Sequence, residues 1–133
     1  MLNLVELPDR WSLDSDDAEV TRLCLDWAVT LSIGSGRHDV QIRIEGVITL
    51  SGEGAAEYQL RPDGDPVELA PLLRIIRRKV TSLVLFKDGT VQLGTGDIAI
   101  QVLPDDRFEA WEATGARRRF VATPGGGIAV WST

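Results

Sequence analysis

The sequence predicts an α+β domain dominated by strands: a curved, mostly antiparallel sheet of seven to nine strands with one main helix packed over it. Apolar and polar residues alternate with period two through much of residues 23–50, and turn signals divide the second half into short apolar runs. Only one stretch, after Asp65, combines helix-start chemistry with helical spacing. The 133 residues suit one domain with its own core and are too few for two, so a single domain, 1–133, is predicted.

The alternation over residues 23–33 predicts one long strand with a buried face and a wetter face. The row assigned to the buried face contains Leu23, Leu25, Trp27, Val29, Leu31 and Ile33. A glycine-rich turn at 34–37 then leads into a second alternating strand, 38–50, which completes an amphipathic hairpin. Gly46 occupies an inward position of that strand, where it marks a bend or a close approach by another element. A short strand at 57–60 continues the meander.

The predicted helix follows a loop and begins with an acidic cap at Asp65 and a proline at position 66. Apolar residues then recur at the spacing of one helix face: Leu69, Leu72, Leu73 and Ile76. Pro71 removes a backbone hydrogen bond and crowds the carbonyl four residues earlier. Two starting points therefore stay open, one at Pro66 and one at Pro71 with a preliminary turn before it.

Strands return after the helix, at 80–86, 91–93 and 98–103, with tight turns at 87–90 and 94–97. Four consecutive apolar residues, 83–86, predict a central strand covered on both faces, with the helix as the cover of one of them. Residues 104–112 leave the strand pattern and predict a short helical or coiled segment. A last hairpin joins 118–123 to 128–131 across a glycine-rich turn.

Charge and composition exclude several classes of function. The net charge is -6 and the pI is about 4.7, the wrong sign for binding a nucleic-acid backbone. Thirteen acidic and five basic residues give residues 1–66 a net charge of -8, and nine basic and seven acidic residues give 67–133 a net charge of +2. No apolar run is long enough to span a membrane and no secretory leader opens the chain, so a cytoplasmic protein is predicted. The single thiol, Cys24, agrees with a reducing compartment.

Four carboxylates, Asp105, Asp106, Glu109 and Glu112, lie within eight residues, beside Phe108 and Trp111. Such a group could act in acid/base chemistry or bind a hard cation. Capping and solvated charge, with the two aromatic residues anchoring the segment to the core, explain the same residues and are favoured. No catalytic residue, metal site or cofactor is therefore assigned. We treat the six residues, together with His38 and Trp27, as a candidate ligand or partner surface.

Three segments of the second half carry a resemblance to a known family. They are Phe86-Lys87-Asp88-Gly89-Thr90, the segment from Pro104 to Glu112, and Pro124-Gly125-Gly126 followed by Ala129-Val130-Trp131. In this order they resemble a family of small uncharacterised proteins found mainly in actinobacteria, over most of the chain from about Leu25 onward. The chain departs from the family pattern at Arg117-Arg118-Arg119 and in an additional glycine near the end. The family has no established activity, so the resemblance implies no catalytic residues.

Three hypotheses follow, with an enzyme the least favoured. The first is a non-enzymatic protein-binding domain, an immunity-like or regulatory partner of another protein from the same gene neighbourhood, by analogy of size and charge. The second is a module for a small or lipid-like ligand, with a pocket lined by Trp27, Phe86, Phe108 and Trp111. The third is a hydrolase or isomerase that uses Asp105, Glu109 and His38. A homodimer formed through an exposed sheet edge is compatible with each of them.

Overall fold

The computed structural model describes residues 3–14, 17–35, 38–52, 57–115 and 117–132, with residues 35, 38 and 39 described by their backbone alone. These residues form thirteen strands and a 3-10 helix, Pro66–Ile75. The strands are β1 (Leu4–Glu6), β2 (Arg10–Leu13), β3 (Glu19–Leu25), β4 (Val29–Ser35), β5 (His38–Ile44), β6 (Ile48–Gly52), β7 (Tyr58–Leu60), β8 (Ser82–Phe86), β9 (Val91–Gly94), β10 (Ile98–Val102), β11 (Trp111–Gly115), β12 (Arg118–Ala122) and β13 (Ile128–Ser132). Among the described residues, no helix has the length and apolar character that crossing a bilayer requires.

The strands form two antiparallel sheets. The seven-stranded sheet has the order β1-β2-β8-β9-β10-β6-β7, and the six-stranded sheet has the order β13-β12-β11-β5-β4-β3. Buried side chains from both sheets form one hydrophobic cluster, in which the rings of Trp11 and Phe120 meet edge to face at 5.1 Å. The predicted single curved sheet of seven to nine strands with one main helix is therefore wrong: the strands form two sheets, whose buried side chains share one core.

The segment predicted as the main helix is a 3-10 helix. Leu69, Leu72 and Ile75 are its buried residues, a spacing of three that matches the 3-10 repeat, whereas the predicted Leu73 is exposed. Pro71 lies inside the segment and lacks the amide that an α-helix would need there. The predicted cap is confirmed, since the Asp65 carboxylate accepts a hydrogen bond from the Val67 amide at 3.0 Å.

The alternating run 23–33 contains a turn and two strands, so the prediction of one strand is wrong. The Ala28 amide donates to the Asp26 carboxylate at 3.0 Å, and the Asp26 amide donates to the Ala28 carbonyl at 3.0 Å. An aspartate that hydrogen-bonds the backbone two residues on favours a turn over a strand. Leu25 pairs with Val29 across this three-residue loop, so the apolar residues on either side share a face although the chain has reversed.

The run 38–50 was predicted as one strand, which is wrong: it is divided at Gly46, where the chain leaves the six-stranded sheet after β5 and enters the seven-stranded sheet as β6. The amides of Glu45 and Gly46 both donate to the Ala110 carbonyl at 2.9 Å. A Cβ at Gly46 would lie 2.9 Å from the Ala110 Cβ. The predicted bend and close approach at Gly46 are therefore confirmed.

The hairpins predicted in the second half, β8–β9, β9–β10 and β12–β13, are confirmed, as are the β4–β5 hairpin and the short strand β7. Strand β8 is packed on one face only: Leu83 and Leu85 are buried, but Val84 and Phe86 are partly exposed, so its predicted double cover is wrong. Of the two alternatives predicted for residues 104–112, helical or coiled, the structure shows coil up to residue 110, but Trp111 and Glu112 begin β11. The sequence analysis did not predict β1, β2 or β11.

Candidate functional site

Trp111 joins the two sheets and does not face solvent. Its side chain is 1% exposed, and its indole Nε1 donates to the Gly89 carbonyl at 2.8 Å. Two further backbone bonds hold the same region: the Gly127 amide donates to the Asp88 carbonyl, and the Gly125 amide donates to the Asp105 carbonyl, both at 2.8 Å. We call residues 87–90, 104–111 and 124–127 the three-segment junction. The segments that carry the family resemblance thus meet in space and connect the sheets.

Asp105 and Glu112 have structural partners. The Asp105 carboxylate accepts a hydrogen bond from the Arg107 amide at 2.8 Å, so it closes a local turn. The Glu112 carboxylate lies 2.9 Å from an Arg119 Nη on the neighbouring strand β12, and this hydrogen bond raises the pKa of Arg119. These contacts agree with the structural interpretation of the acidic segment.

A small polar cavity brings together part of the predicted surface. It has a volume of about 140 Å³ and is lined by Arg43, Glu45, Glu109, Trp111 and Glu112. Sites for drug-sized ligands usually measure about 300–1,000 Å³, so this cavity is too small for one. Within the part of the chain that the structure describes, no three carboxylate, thiol or imidazole groups come together in a way that could hold a metal ion. The His38 side chain, which the enzyme hypothesis needs, lies outside the described residues.

Trp27 is the predicted site residue with the most unusual environment. It was expected to be buried, but its side chain is 81% exposed at the tip of the β3–β4 hairpin. The Asp26 turn holds it there, because both hydrogen bonds between Asp26 and Ala28 enclose the Trp27 backbone. An exposed tryptophan on a closed turn is a large apolar surface that the protein's own core does not use.

An apolar groove of about 220 Å³ adjoins this tryptophan. Its walls come from the hairpin tip and from the start of the 3-10 helix with the loop before it: Leu25, Asp26, Trp27, Pro62, Gly64, Pro66 and Leu69. Val67, which neighbours Pro66 in the chain, is also strongly exposed. The loop and helix-start residues of the groove were not predicted from the sequence, because their position beside Trp27 depends on packing between distant segments.

Most of the charged residues next to the groove are acidic. Asp26 lines it, and the exposed residues that neighbour lining residues in the chain are Asp63, Asp65 and Glu68, with one basic residue, Arg61. Asp26 lies 3.9 Å from Arg43, an exposed pair that contributes little stability. The surface around Trp27 is therefore apolar at its centre and predominantly negative at its edge.

The four aromatic residues proposed for a ligand pocket have different environments. Trp27 lines the apolar groove, Trp111 is buried beside the separate polar cavity, and Phe108 is exposed in the irregular segment. Phe86 is partly buried, with the Arg10 guanidinium 4.8 Å from its ring centroid. Trp27 and Trp111 therefore line two different cavities. The ligand hypothesis needs them in one pocket.

The model of a family of unknown function, DUF6188, matches residues 11–132. No curated protein and no solved structure matches the chain. Since the match extends over nearly the whole sequence, the chain belongs to this family of unknown function, DUF6188.

Proposed function

We propose that this chain is a non-enzymatic protein-binding domain that recognises its partner through the groove beside Trp27. The exposure of Trp27 carries the proposal. Tryptophan is enriched among the residues that dominate binding energy in protein interfaces, where it fills an apolar pocket of the partner or packs against one. Two prolines line the groove, the exposed Pro66 and the buried Pro62, and their restricted backbones mean that this wall loses little conformational entropy when a partner binds.

The edge of the groove indicates the chemistry of the partner. Asp26, Asp63 and Glu68 are exposed, and an interface is most specific when it places opposite charges against such groups. The partner therefore presents an apolar anchor flanked by basic residues. A product of a neighbouring gene, such as a toxin that an immunity-like protein silences, is the partner class that we propose.

The setting that we propose is the cytoplasm of an actinobacterium. The chain has one cysteine, Cys24, which the structure leaves as a free thiol, and twelve arginines to two lysines, a ratio typical of GC-rich coding sequences. Labelling of Cys24 in intact cells measures its redox state, and a fully oxidised thiol would contradict this setting.

The experiment uses the full chain with the purified product of each adjacent gene, and measures the dissociation constant by calorimetry. Replacement of Trp27 by serine is expected to weaken binding at least about 30-fold, the effect of losing an interface residue worth about 2 kcal/mol. The affinity of the unmodified chain is also expected to fall with added salt, because the groove edge is acidic.

Leu103→Ser is the matched control. Leu103 is 59% exposed and lies in the irregular segment after β10, outside the groove residues. This variant is expected to bind like the unmodified chain, and circular dichroism checks that both variants fold. If no adjacent gene product binds, or if Trp27→Ser binds as tightly as Leu103→Ser, the proposal is wrong.

A further inference from the structure

The two sheets end in four edge strands, β1, β7, β13 and β3, which differ in how well they are protected. Strands β1 and β7 have three residues each, and short edge strands offer little backbone for pairing. Strand β3 carries Glu19 and Arg22, and its register shifts between Val20 and Arg22. Its edge is also covered by residues 77–80: the Arg77 amide donates to the Val20 carbonyl at 2.8 Å, and the Val20 amide donates to the Arg78 carbonyl at 3.0 Å.

Strand β13 has none of these protections from the residues that the structure describes. Its five residues, Ile-Ala-Val-Trp-Ser, carry no charge, and they pair with β12 without a register shift. Val130 is 38% exposed, and Trp131 is also exposed, with the Arg119 guanidinium 5.5 Å from its ring centroid. An uncharged apolar edge of this length is a template for another strand.

The hairpin register shows which backbone groups of β13 are available. The Thr123 amide donates to the Gly127 carbonyl at 3.1 Å, and ladder bonds in an antiparallel pair recur at every second residue. Ala129 and Trp131 therefore direct their amides and carbonyls towards β12. Those of Ile128, Val130 and Ser132 point away from β12, at the free edge.

We propose that β13 pairs with β13 of a second copy of this chain, antiparallel about a two-fold axis at Val130. This register places Val130 opposite Val130 of the second copy, and Ile128 opposite Ser132 of the second copy. All three residues with outward backbone groups then have partners, whereas a two-fold axis at a neighbouring residue pairs fewer of them. Trp131 lies opposite Ala129 of the second copy, and this small residue leaves room for the indole to pack over the contact between the two β13 strands.

The net charge does not prevent a second copy from binding at this edge. The chain has a net charge of -6, so two copies repel at long range, but β13 itself carries no charged residue. Strands β3, β4 and β5, from the acidic half, occupy the other end of the six-stranded sheet. In the twelve-stranded sheet that results, the two β5 strands lie seven strand spacings apart, about 34 Å. This separation exceeds the Debye length of about 8 Å at physiological salt, so the repulsion between these strands is screened.

The proposed pairing stops at a dimer, and the dimer is weak. Both unprotected edges are used in the dimer, and the edges that remain are short or covered, so growth stops at two copies. Two five-residue strands bury less than the roughly 1,200 Å² of a standard interface. We therefore expect a concentration-dependent dimer with a dissociation constant in the micromolar range.

Sedimentation equilibrium over a series of protein concentrations tests the dimer. The unmodified chain is expected to shift from monomer to dimer, and Val130→Lys is expected to raise the dissociation constant at least about tenfold, because two lysines would face each other at the axis. Val5→Lys is the matched control: Val5 is 39% exposed on β1, an edge strand of the seven-stranded sheet, and its variant should dimerise normally. A chain that stays monomeric at all concentrations, or that loses dimers equally in both variants, overturns the proposal.

Cysteine cross-linking tests the register in a Cys24→Ser background. Residues that face each other in a hydrogen-bonded antiparallel pair have Cα atoms about 5.5 Å apart, within the range of a disulfide. Val130→Cys is therefore expected to form a disulfide-linked dimer under mild oxidation. Ser132→Cys, which lies about 14 Å from its copy in this register, is expected to stay uncoupled. Cross-linking of Ser132→Cys in place of Val130→Cys overturns the register.

Trp27→Ser should dimerise normally, so failure of the proposed partner site and failure of the dimer are distinguishable.

Discussion

Replacing Trp111 by alanine is expected to lower the free energy of unfolding by about 3–5 kcal/mol. The side chain is 1% exposed, and its removal leaves a cavity where the two sheets meet. It also leaves the buried Gly89 carbonyl without the indole donor that it now accepts from at 2.8 Å. Chemical denaturation followed by circular dichroism measures the effect, because it does not depend on the fluorescence of the residue removed.

Two variants separate the contributions at this position. Trp111→Phe keeps an aromatic ring and removes the donor, so it should cost about 1–3 kcal/mol, the effect of an unsatisfied buried carbonyl together with some loss of packing. Trp27→Ala is the matched control, since it removes a tryptophan that is 81% exposed, and it should change stability by no more than about 0.5 kcal/mol. Equal losses for Trp27→Ala and Trp111→Ala would contradict the structural role given to Trp111.

Gly89→Ala is expected to destabilise the fold by about 2–5 kcal/mol, for two separable reasons. Gly89 has a φ of 100°, a conformation that L residues with a Cβ rarely adopt. A Cβ at this position would lie 2.8 Å from the Gly127 carbonyl oxygen and 3.1 Å from the Pro104 Cβ. Because the first of these contacts is with backbone, it cannot be relieved by a change of rotamer. The loss is measured by the same denaturation experiment.

Gly125→Ala isolates the backbone strain from the steric clash. Gly125 has a φ of 83°, and a Cβ there would have no heavy atom within 4 Å apart from its chain neighbours. It should therefore lose only the strain energy of about 1–2 kcal/mol. The structure indicates that close packing in the three-segment junction leaves no room for a Cβ at Gly89. If Gly89→Ala lowers the free energy of unfolding no more than Gly125→Ala does, that interpretation is wrong.

Local chemistry made several features predictable from the sequence. The Asp65 cap, the Asp88-Gly89 turn and the glycine-rich turn at 124–127 act through residues adjacent in the chain, so they can be identified without the fold. The hairpins of the second half follow from them. The helix type was less accessible, because the spacing of leucines fits both helical repeats over so short a segment, and only packing chose Leu69, Leu72 and Ile75 as the buried row.

The two tryptophans of the predicted surface show where this reasoning succeeds and where it fails. Trp111 is buried, as its predicted role as an anchor to the core requires, whereas Trp27, which was assigned to the buried face of a strand, is exposed. A period of two stays intact when a three-residue loop reverses the chain, so the alternation around Asp26 could not distinguish one strand from a hairpin. The burial of Trp111 depends on the carbonyl of Gly89, in a turn of the other sheet.

The sequence by itself determined that this chain is rich in antiparallel strands, that it carries an acidic first half, and where several of its turns lie, since these properties depend on composition and on near neighbours. Only the tertiary structure decided that the strands divide between two sheets, that β13 is left as an unprotected edge and that Trp27 lies beside an apolar groove. Strand patterns specify which residues share a face, but not which strands pair. That choice is made by contacts between distant segments, such as those of Gly46 with Ala110.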